Sequence, residues 1–531
     1  MIEKNNLNNT LEEDILVASI DVGTNSTHLL IAEINQDLKS FSIKFSDKYP
    51  TRLGERDEEG NLTEVSIQRV LVTLKRFKEY CKSNGVNQIV TAATSAVREA
   101  PNGKEFIQRV LDDIGIQIEL ISGSEEARLI YLGVLSGMAF EDESYVIVDI
   151  GGGSTELILA DKKDAIALTS SRVGAVRIKN DFLSREQISI ERSKFLRTFI
   201  KGSLEPSVEK IKRRLEKDKR VSMIATSGTA ISLGNLILYD LGQPKQKMHG
   251  YKFKRESLKV VLEKLIKMPS SEIKKIPSLS ERRAEIIIPG ALILNTSMEM
   301  LSFDELTISE RSLREGLVVD WMLRKGIIKN EFNIQSNIRK TTIVHQASKF
   351  GVNKERAKKI TNMALQIYDQ TKNILHNDSD PRAKELLWAA CNLYNCGKYV
   401  NISSYHKHSW YLIKYCDLLG YSQAETNIIA SISRYHRKTL PKKRHVSWQH
   451  LITKEDKTLV LEMSLILRLA ASLDQRPDNL ISTIKIKLQK NIFLIELVPF
   501  NKEHDLLLEK WNLELCRGVV KELKNMDLKV I

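Results

Sequence analysis

The chain has little cysteine for its length: five in 531 residues, Cys81, Cys391, Cys396, Cys416 and Cys516. A sparse, odd set does not make a disulfide framework. Cys391 and Cys396 have no matching second pair, so they read as ordinary thiols rather than half of a zinc site. There is no uninterrupted apolar run of the ~18 residues that a membrane-spanning helix needs. Met1–Asp14 is polar and acidic, without the basic-then-apolar order of a signal peptide, so the expected compartment is the cytosol. No low-complexity tract points to extended disorder, and 42% hydrophobic residues suffice for real cores. Single cores rarely grow beyond ~250–300 residues, so this length predicts several domains. The net charge of +14 favours a polyanionic partner. No recognition motif supports specific nucleic-acid binding.

What the chain does have is the same short text twice. Ala18-Ser19-Ile20-Asp21-Val22-Gly23-Thr24-Asn25-Ser26-Thr27-His28 is echoed by Val146-Ile147-Val148-Asp149-Ile150-Gly151-Gly152-Gly153-Ser154-Thr155-Glu156. Each begins as an apolar strand, reaches an aspartate, turns through Gly/Ser/Thr/Asn and resumes as a strand. The turn presents backbone N–H groups and hydroxyls to an anion, and the aspartate beside it can hold a cation. Two such hairpins predict a duplicated domain that clamps phosphate between its halves.

The remaining chain divides by periodicity. From 15 to about 140, strands alternate with helices, including a helix over Val65–Cys81 and strands over Val86–Thr91 and Ile116–Ile121. A second α/β unit follows, to about Lys325. Helical periodicity then dominates to about Pro477, and a hairpin over Thr483–Leu497 with a helix around Leu507–Leu523 closes the chain. Two basic runs stand out as candidate tracks for a long polyanion. One is Lys210–Arg214 with Lys217, Lys219 and Arg220; the other is Arg434–Lys438 with Lys442, Lys443 and Arg444.

Asp21–Ser26, Thr94-Ser95-Ala96-Val97-Arg98, Ser122-Gly123-Ser124-Glu125-Glu126-Ala127-Arg128, Asp149–Glu156, Thr226-Ser227-Gly228-Thr229 and Arg311-Ser312-Leu313-Arg314-Glu315-Gly316 occur in one order and spacing. Together they resemble the exopolyphosphatase/guanosine pentaphosphate phosphohydrolase family over essentially the whole chain. The resemblance implies an α/β fold: a duplicated actin-like (ribonuclease H-like) phosphatase core, then an all-α HD-like domain and a small α+β C-terminal cap. The expected domains are 1–142 and 143–325 for the two phosphatase halves, 326–478 for the helical domain and 479–531 for the cap. It also implies homodimerisation through the helical domain.

Hydrolysing a terminal phosphoanhydride needs a placed water, neutralisation of phosphoryl charge and a base. Glu126 stands where a strand end meets a helix start, and by resemblance it is the catalytic glutamate. Glu125 reads as a first-turn acid complementing the helix dipole. Asp149 and Glu156, with Asp21 in the equivalent first loop, are placed to hold Mg²⁺ (or Mn²⁺). Asn25, Ser26, Gly152, Gly153, Ser154 and Thr155 would donate to phosphate. Arg98 suits a phosphoryl clamp, because guanidinium forks match phosphate oxygens. Arg283 is matched through the family alone. The helical domain departs from a metal-binding HD pattern. Tyr394-Asn395 stands where a His-Asp pair belongs, and Arg356 where an earlier histidine ligand is often found. These residues cannot form a divalent-metal set. His406, His408, His436 and Asp474 then read as structural or anion-facing.

The expected activity is release of orthophosphate from the end of inorganic polyphosphate. Guanosine pentaphosphate is the alternative substrate. A non-catalytic polyphosphate or alarmone sensor and a kinase-like phosphotransferase are the rival classes.

Overall fold

The computed structural model describes residues 15–183, 188–216, 219–328, 338–377, 379–416, 418, 421, 423–451, 453–476, 480–501 and 503–531. The acidic leader, Lys217 and the expected boundary at 478/479 lie outside them. The chain forms two compact units, 1–338 and 339–531.

The first unit contains two sheets of related design. One is five-stranded, in the order β3 (Ser40–Tyr49), β2 (Thr27–Asn35), β1 (Ile15–Val22), β4 (Gln88–Ala93), β5 (Glu119–Leu120). The other is six-stranded, in the order β10 (Lys252–Lys254), β11 (Glu305–Ile308), β9 (Val221–Thr226), β6 (Ser144–Ile150), β7 (Thr155–Ala160), β8 (Ala165–Ser171). In each, three antiparallel strands are extended by a parallel one: β1 pairs with β4, and β6 with β9. This is the duplicated actin-like core. The two hairpins also share a register, closing on Val22 opposite Thr27 and on Ile150 opposite Thr155.

The central strands β6 and β7 are buried along their whole length. Because side chains alternate between faces, Val146, Val148 and Ile150 enter the core of the second half. Tyr145 and Ile147 face a core shared with Val17 and Leu30 of the first half. Between the sheets lie the helices Gly123–Leu135 and Leu313–Arg324, both contributing to that shared core. They cross at glycines. A Cβ on Gly133 would lie 1.8 Å from the Ser312 carbonyl oxygen, and one on Gly316 equally close to that of Leu129.

Some elements differ from the periodicity reading. The strand β3 was not expected; its alternating Phe41, Ile43 and Phe45 pair with β2 along the sheet edge. Only Glu119–Leu120 of the run 116–121 joins the ladder, although Ile116, Ile118 and Ile121 are buried. In the second unit the terminal helix is two, Leu507–Glu514 and Arg517–Lys524.

The second unit builds one core from helices that include Lys354–Gln370, Ala383–Leu393, Gln423–Tyr435 and Lys454–Ser472. The cap joins the same core through Ile484, Phe493 and Val520. It consists of the hairpin β12 (Ile481–Gln489) and β13 (Ile492–Pro499), with β14 (Asp527–Val530) parallel to β13. Among the described residues, no helix is long and apolar enough to cross a membrane.

Candidate active site

Both hairpin turns are wired alike. The first glycine N–H closes each turn, Gly23 N donating to Ser26 O at 3.2 Å and Gly151 N to Ser154 O at 2.9 Å. The turn carbonyls are engaged from behind: Thr24 O accepts from Gly54 N (2.8 Å), Asn25 O from Arg52 N (3.1 Å) and Gly152 O from Val176 N (2.9 Å). The N–H groups of Thr24, Asn25, Gly152 and Gly153 have no acceptor among the described residues. With the carbonyls of Thr24, Asn25, Gly152 and Gly153 occupied, the free backbone groups at these four positions are donors, as an anion requires.

The loops meet in a cleft of about 390 Å³. Asp21, Asn25, Ser26, Glu126, Asp149, Gly152, Ser154 and Arg283 line it, so the structure brings these expected residues together. Gly153, Arg98 and Glu156 stand outside the lining, and so does Thr155. The fully buried Thr155 hydroxyl donates to Val173 O, which takes it out of the donor set facing the cleft.

Glu126 is in the first turn of the helix Gly123–Leu135, whose N-cap Ser122 accepts from Glu125 N. The turn separates two adjacent acids. Glu125 faces outward and is held by Arg128 at 2.9 and 2.7 Å, whereas Glu126 is buried and accepts from Arg98 Nη1 at 3.2 Å. Arg98 also donates to Ile121 O at 2.8 Å, which fixes its guanidinium between backbone and carboxylate. Burial, reinforced by the charge of Glu156, raises Glu126 well above the ordinary carboxylate range, and Arg98 opposes that rise.

Three further carboxylates crowd the same region. Burial pushes Asp21 up to about 7, with Arg314 lowering it and Asp149 raising it. Burial pushes Asp149 up to about 6 against a hydrogen bond from Ser312 Oγ. Glu156 lies opposite Asp149 in the ladder and accepts from Ser170 Oγ at 2.8 Å. Burial and Asp149 push it up to about 7. Asp21 Oδ1 is buried with no hydrogen-bond donor. An oxygen-only donor set of crowded carboxylates fits a hard divalent cation. Among the described residues, no group of three His, Cys, Asp or Glu is gathered closely enough to hold an ion alone. Such a cation would therefore need water or substrate oxygens as well, as Mg²⁺ commonly does.

The cleft is also lined by the cations Lys48, Arg283 and Arg314. Burial and the two arginines lower Lys48 to about 8, and burial followed by the same three cations holds His28 well below its usual value. Arg283 lies over Gly228, where a Cβ would come within 1.8 Å of its guanidinium, so the arginine packs closely on the Thr226–Thr229 turn. The sequence reading missed Lys48, His28, Ser312 and Arg314. The duplication could have found His28, since it faces Asp21 as Glu156 faces Asp149. Lys48 lies on the unanticipated strand β3, and Ser312 and Arg314 lay in a quoted motif given no role.

The first basic run does not reach the cleft. Lys210 donates to Leu168 O (3.0 Å), Arg213 pairs with Glu209 (2.8 Å) and Lys219 with Asp161 (3.4 Å). In the second unit, Arg356 Nε donates to Asp474 Oδ2 at 2.8 Å, an ion pair at the position where a histidine ligand was sought. His436 Nδ1 donates to Ser433 O (2.6 Å), and its Nε2 is 3.1 Å from the Tyr405 hydroxyl. Both nitrogens are therefore engaged in hydrogen bonds within the protein.

The family model described as the Ppx/GppA phosphatase family matches residues 30–325, and that of Ppx/GppA phosphatase domain III matches 338–521. The chain is 27% identical over 466 residues to a guanosine-5'-triphosphate,3'-diphosphate pyrophosphatase of Photobacterium profundum, covering 87% of this chain and 88% of that protein. It is 29% identical over 461 residues to the protein of the same name from Vibrio vulnificus, covering 87% of each. Among solved structures, the Ppx/GppA family member of Aquifex aeolicus is similar at a TM-score of 0.51 and 28% identity, over 59% of this chain and 98% of that one. An exopolyphosphatase from Cytophaga hutchinsonii is similar at 0.54 and 25%, over 59% and 99%. The paired phosphate-type loops, the buried glutamate beside them and these matches along both units have one common account: the chain belongs to the Ppx/GppA phosphatase family.

Proposed function

We propose that the chain is an exopolyphosphatase, which releases orthophosphate from the end of inorganic polyphosphate. The observation that carries this reading is the pairing of two loops with free N–H donors and a buried carboxylate in one cleft. The backbone N–H groups of Gly152 and Thr24, with Asn25, Ser26 and Ser154, would hold the oxygens of the terminal phosphate. Glu126 would orient a water in line with the scissile P–O bond and take its proton as the new P–O bond forms. The shortened chain leaves with the electron pair of the broken bond. Asp149, Glu156 and Asp21 would hold Mg²⁺ (or Mn²⁺), which when bound neutralises phosphoryl charge. Arg98 would aim Glu126 and oppose its protonation, and Arg283 would meet phosphates further along the chain. Thr155 and Gly153 would shape the second loop from behind.

No Phe, Tyr or Trp lines the cleft among its described residues; its aromatic ring is the imidazole of His28, set among the cations Lys48, Arg283 and Arg314. Three cations in one small cleft support a polyanionic inorganic chain. The second reading, hydrolysis of guanosine pentaphosphate in the same cleft, is supported by the names of the two curated relatives that align along 87% of the chain. The same proposal includes a cytosolic location, a homodimer through the helical unit and the four-part division stated above.

The deciding experiment measures phosphate release from polyphosphate and from guanosine pentaphosphate at matched concentrations with Mg²⁺. Polyphosphate should be the better substrate, and the reverse order selects the second reading. Glu126→Gln keeps the shape and removes the base, so turnover should fall by about 10²–10⁴-fold with substrate still bound. Binding of either substrate without hydrolysis by the wild type would make the protein a sensor instead.

A further inference from the structure

The helix Ala175–Phe182 starts directly on the second loop, Ala175 N donating to Gly151 O at 3.1 Å and Arg177 N to Gly152 O at 3.0 Å. Its Arg177 side chain then does two things at once. Nε donates to Gly153 O at 2.9 Å, and Nη2 donates to Glu99 Oε2 at 2.6 Å. Gly153 belongs to the loop of the second half. Glu99 belongs to the first half and directly follows Arg98, the partner of Glu126. The guanidinium thus spans the two halves behind the cleft. The corner it reaches is also tied at other points: Thr24 Oγ1 and Ser95 Oγ share a hydrogen bond of 3.0 Å, and Arg56 donates to Ala96 O.

We propose that Arg177 and Glu99 form a positioning strut that sets the donor loop of one half in register with the Arg98–Glu126 pair of the other. The inference rests on the reading of the cleft given above. Neither residue lines the cleft, so neither is a catalytic residue. The physical reason for an arginine is geometric. One planar fork serves a carbonyl and a carboxylate simultaneously, whereas a lysine ammonium on a flexible stem cannot hold both acceptors in that fixed arrangement. The engaged carbonyl matters as well. With Gly151, Gly152 and Gly153 carbonyls all accepting from the far side, the loop cannot flip a carbonyl into the cleft without breaking a bond.

The test compares Arg177→Gln, Glu99→Gln and their double variant with the wild type, using polyphosphate with Mg²⁺. Each single change should lower kcat by about 10- to 100-fold, the size usual for groups that orient a reacting shell, with KM changed less than kcat. The double variant should be no worse than the poorer single, because a strut broken at one end is already broken. Arg177→Lys should not restore kcat. Multiplying losses in the double variant, or wild-type kcat with only a lower melting temperature, would overturn the proposal. Glu99→Gln preserves side-chain size and the Arg177–Gly153 bond, so it decides the matter if Arg177→Gln fails to fold. Glu126→Gln, assayed in parallel, separates the two levels. Loss there with wild-type kcat in the strut variants overturns the strut alone, and full turnover there overturns the reading of the cleft.

Discussion

Glu125 and Glu126 are neighbours in one helical turn, and their surroundings give them opposite chemistry. Glu125 is a half-exposed ion-pair partner of Arg128, while Glu126 is buried against Arg98 and other acids. The same logic governs the carboxylates proposed as cation ligands. Removing Asp149 or Glu156 as Ala should raise the Mg²⁺ concentration needed for turnover. In a thermal melt, Mg²⁺ should stabilise the wild type and leave Asp149→Ala nearly unmoved; equal stabilisation of both would remove Asp149 from the cation site. In the second unit, His436 is buried and neutral, and burial lowers its pKa from 6.5 to about 3. Between those values the unfolded chain binds the proton that the folded protein refuses. Its contribution to stability is therefore present above pH 6.5 and is lost as pH falls toward about 3. His436→Gln can keep partners for Ser433 O and Tyr405 but cannot titrate. Denaturant melts should show a shallower loss of stability in that acid range than the wild type, and parallel pH slopes would refute the assignment.

At the scale of elements, the informative contact is the crossing of the helices Gly123–Leu135 and Leu313–Arg324. One carries Glu126. The other begins at Ser312, which is fixed by a capping box with Glu315 and donates to Asp149. Their backbones touch at Gly133 and Gly316, so crossing distance and the placement of Ser312 are set together. Gly133→Ala forces a Cβ into backbone rather than a yielding side chain and should cost about 1–3 kcal/mol, as overpacking does. Turnover should fall as well, because Ser312 moves off Asp149. Gly202, within the helix Ile190–Lys212, has nothing within 4 Å of its would-be Cβ. Gly202→Ala should therefore stabilise by about 0.5–1 kcal/mol from helix propensity. Thermal melts of both variants with kcat measurements check the pair, and similar shifts of one sign would contradict it.

For the whole molecule, the charge of +14 is unevenly employed. Lys210, Arg213, Arg214, Lys219 and Arg220 are each occupied by a carbonyl or carboxylate of their own lobe. The second run includes exposed Lys442, Lys443 and Arg444. Replacing these three with Gln in the full chain should raise KM for long polyphosphate and flatten its salt dependence, since fewer screened contacts remain. Hydrolysis of tripolyphosphate should change little. Equal losses on both substrates in a folded variant would reduce the run to a solvated face.

The amino-acid sequence by itself determined the family, the duplication and the two glycine turns, and the family resemblance set Glu126 apart from Glu125. Each of these is carried by local order: a strand ending in Asp, a turn needing small residues, an N-cap followed by acids. It also determined that Tyr394, Asn395 and Arg356 are the wrong residue types for a metal set. Tertiary structure alone decided which residues share the cleft. Thr155 sits at its motif position yet spends its hydroxyl on Val173, because ladder pairing turns that side chain inward. Lys48, His28 and Arg314 reach the cleft from an edge strand, a hairpin register and a helix start, and none of these positions is marked by local composition. Arg177 meets Glu99 across 78 residues of chain. Sequence spacing records the turn and the face of an element, whereas contact between halves depends on how two sheets and their shared helices pack, and that is set by cores whose members come from many separate segments of the chain.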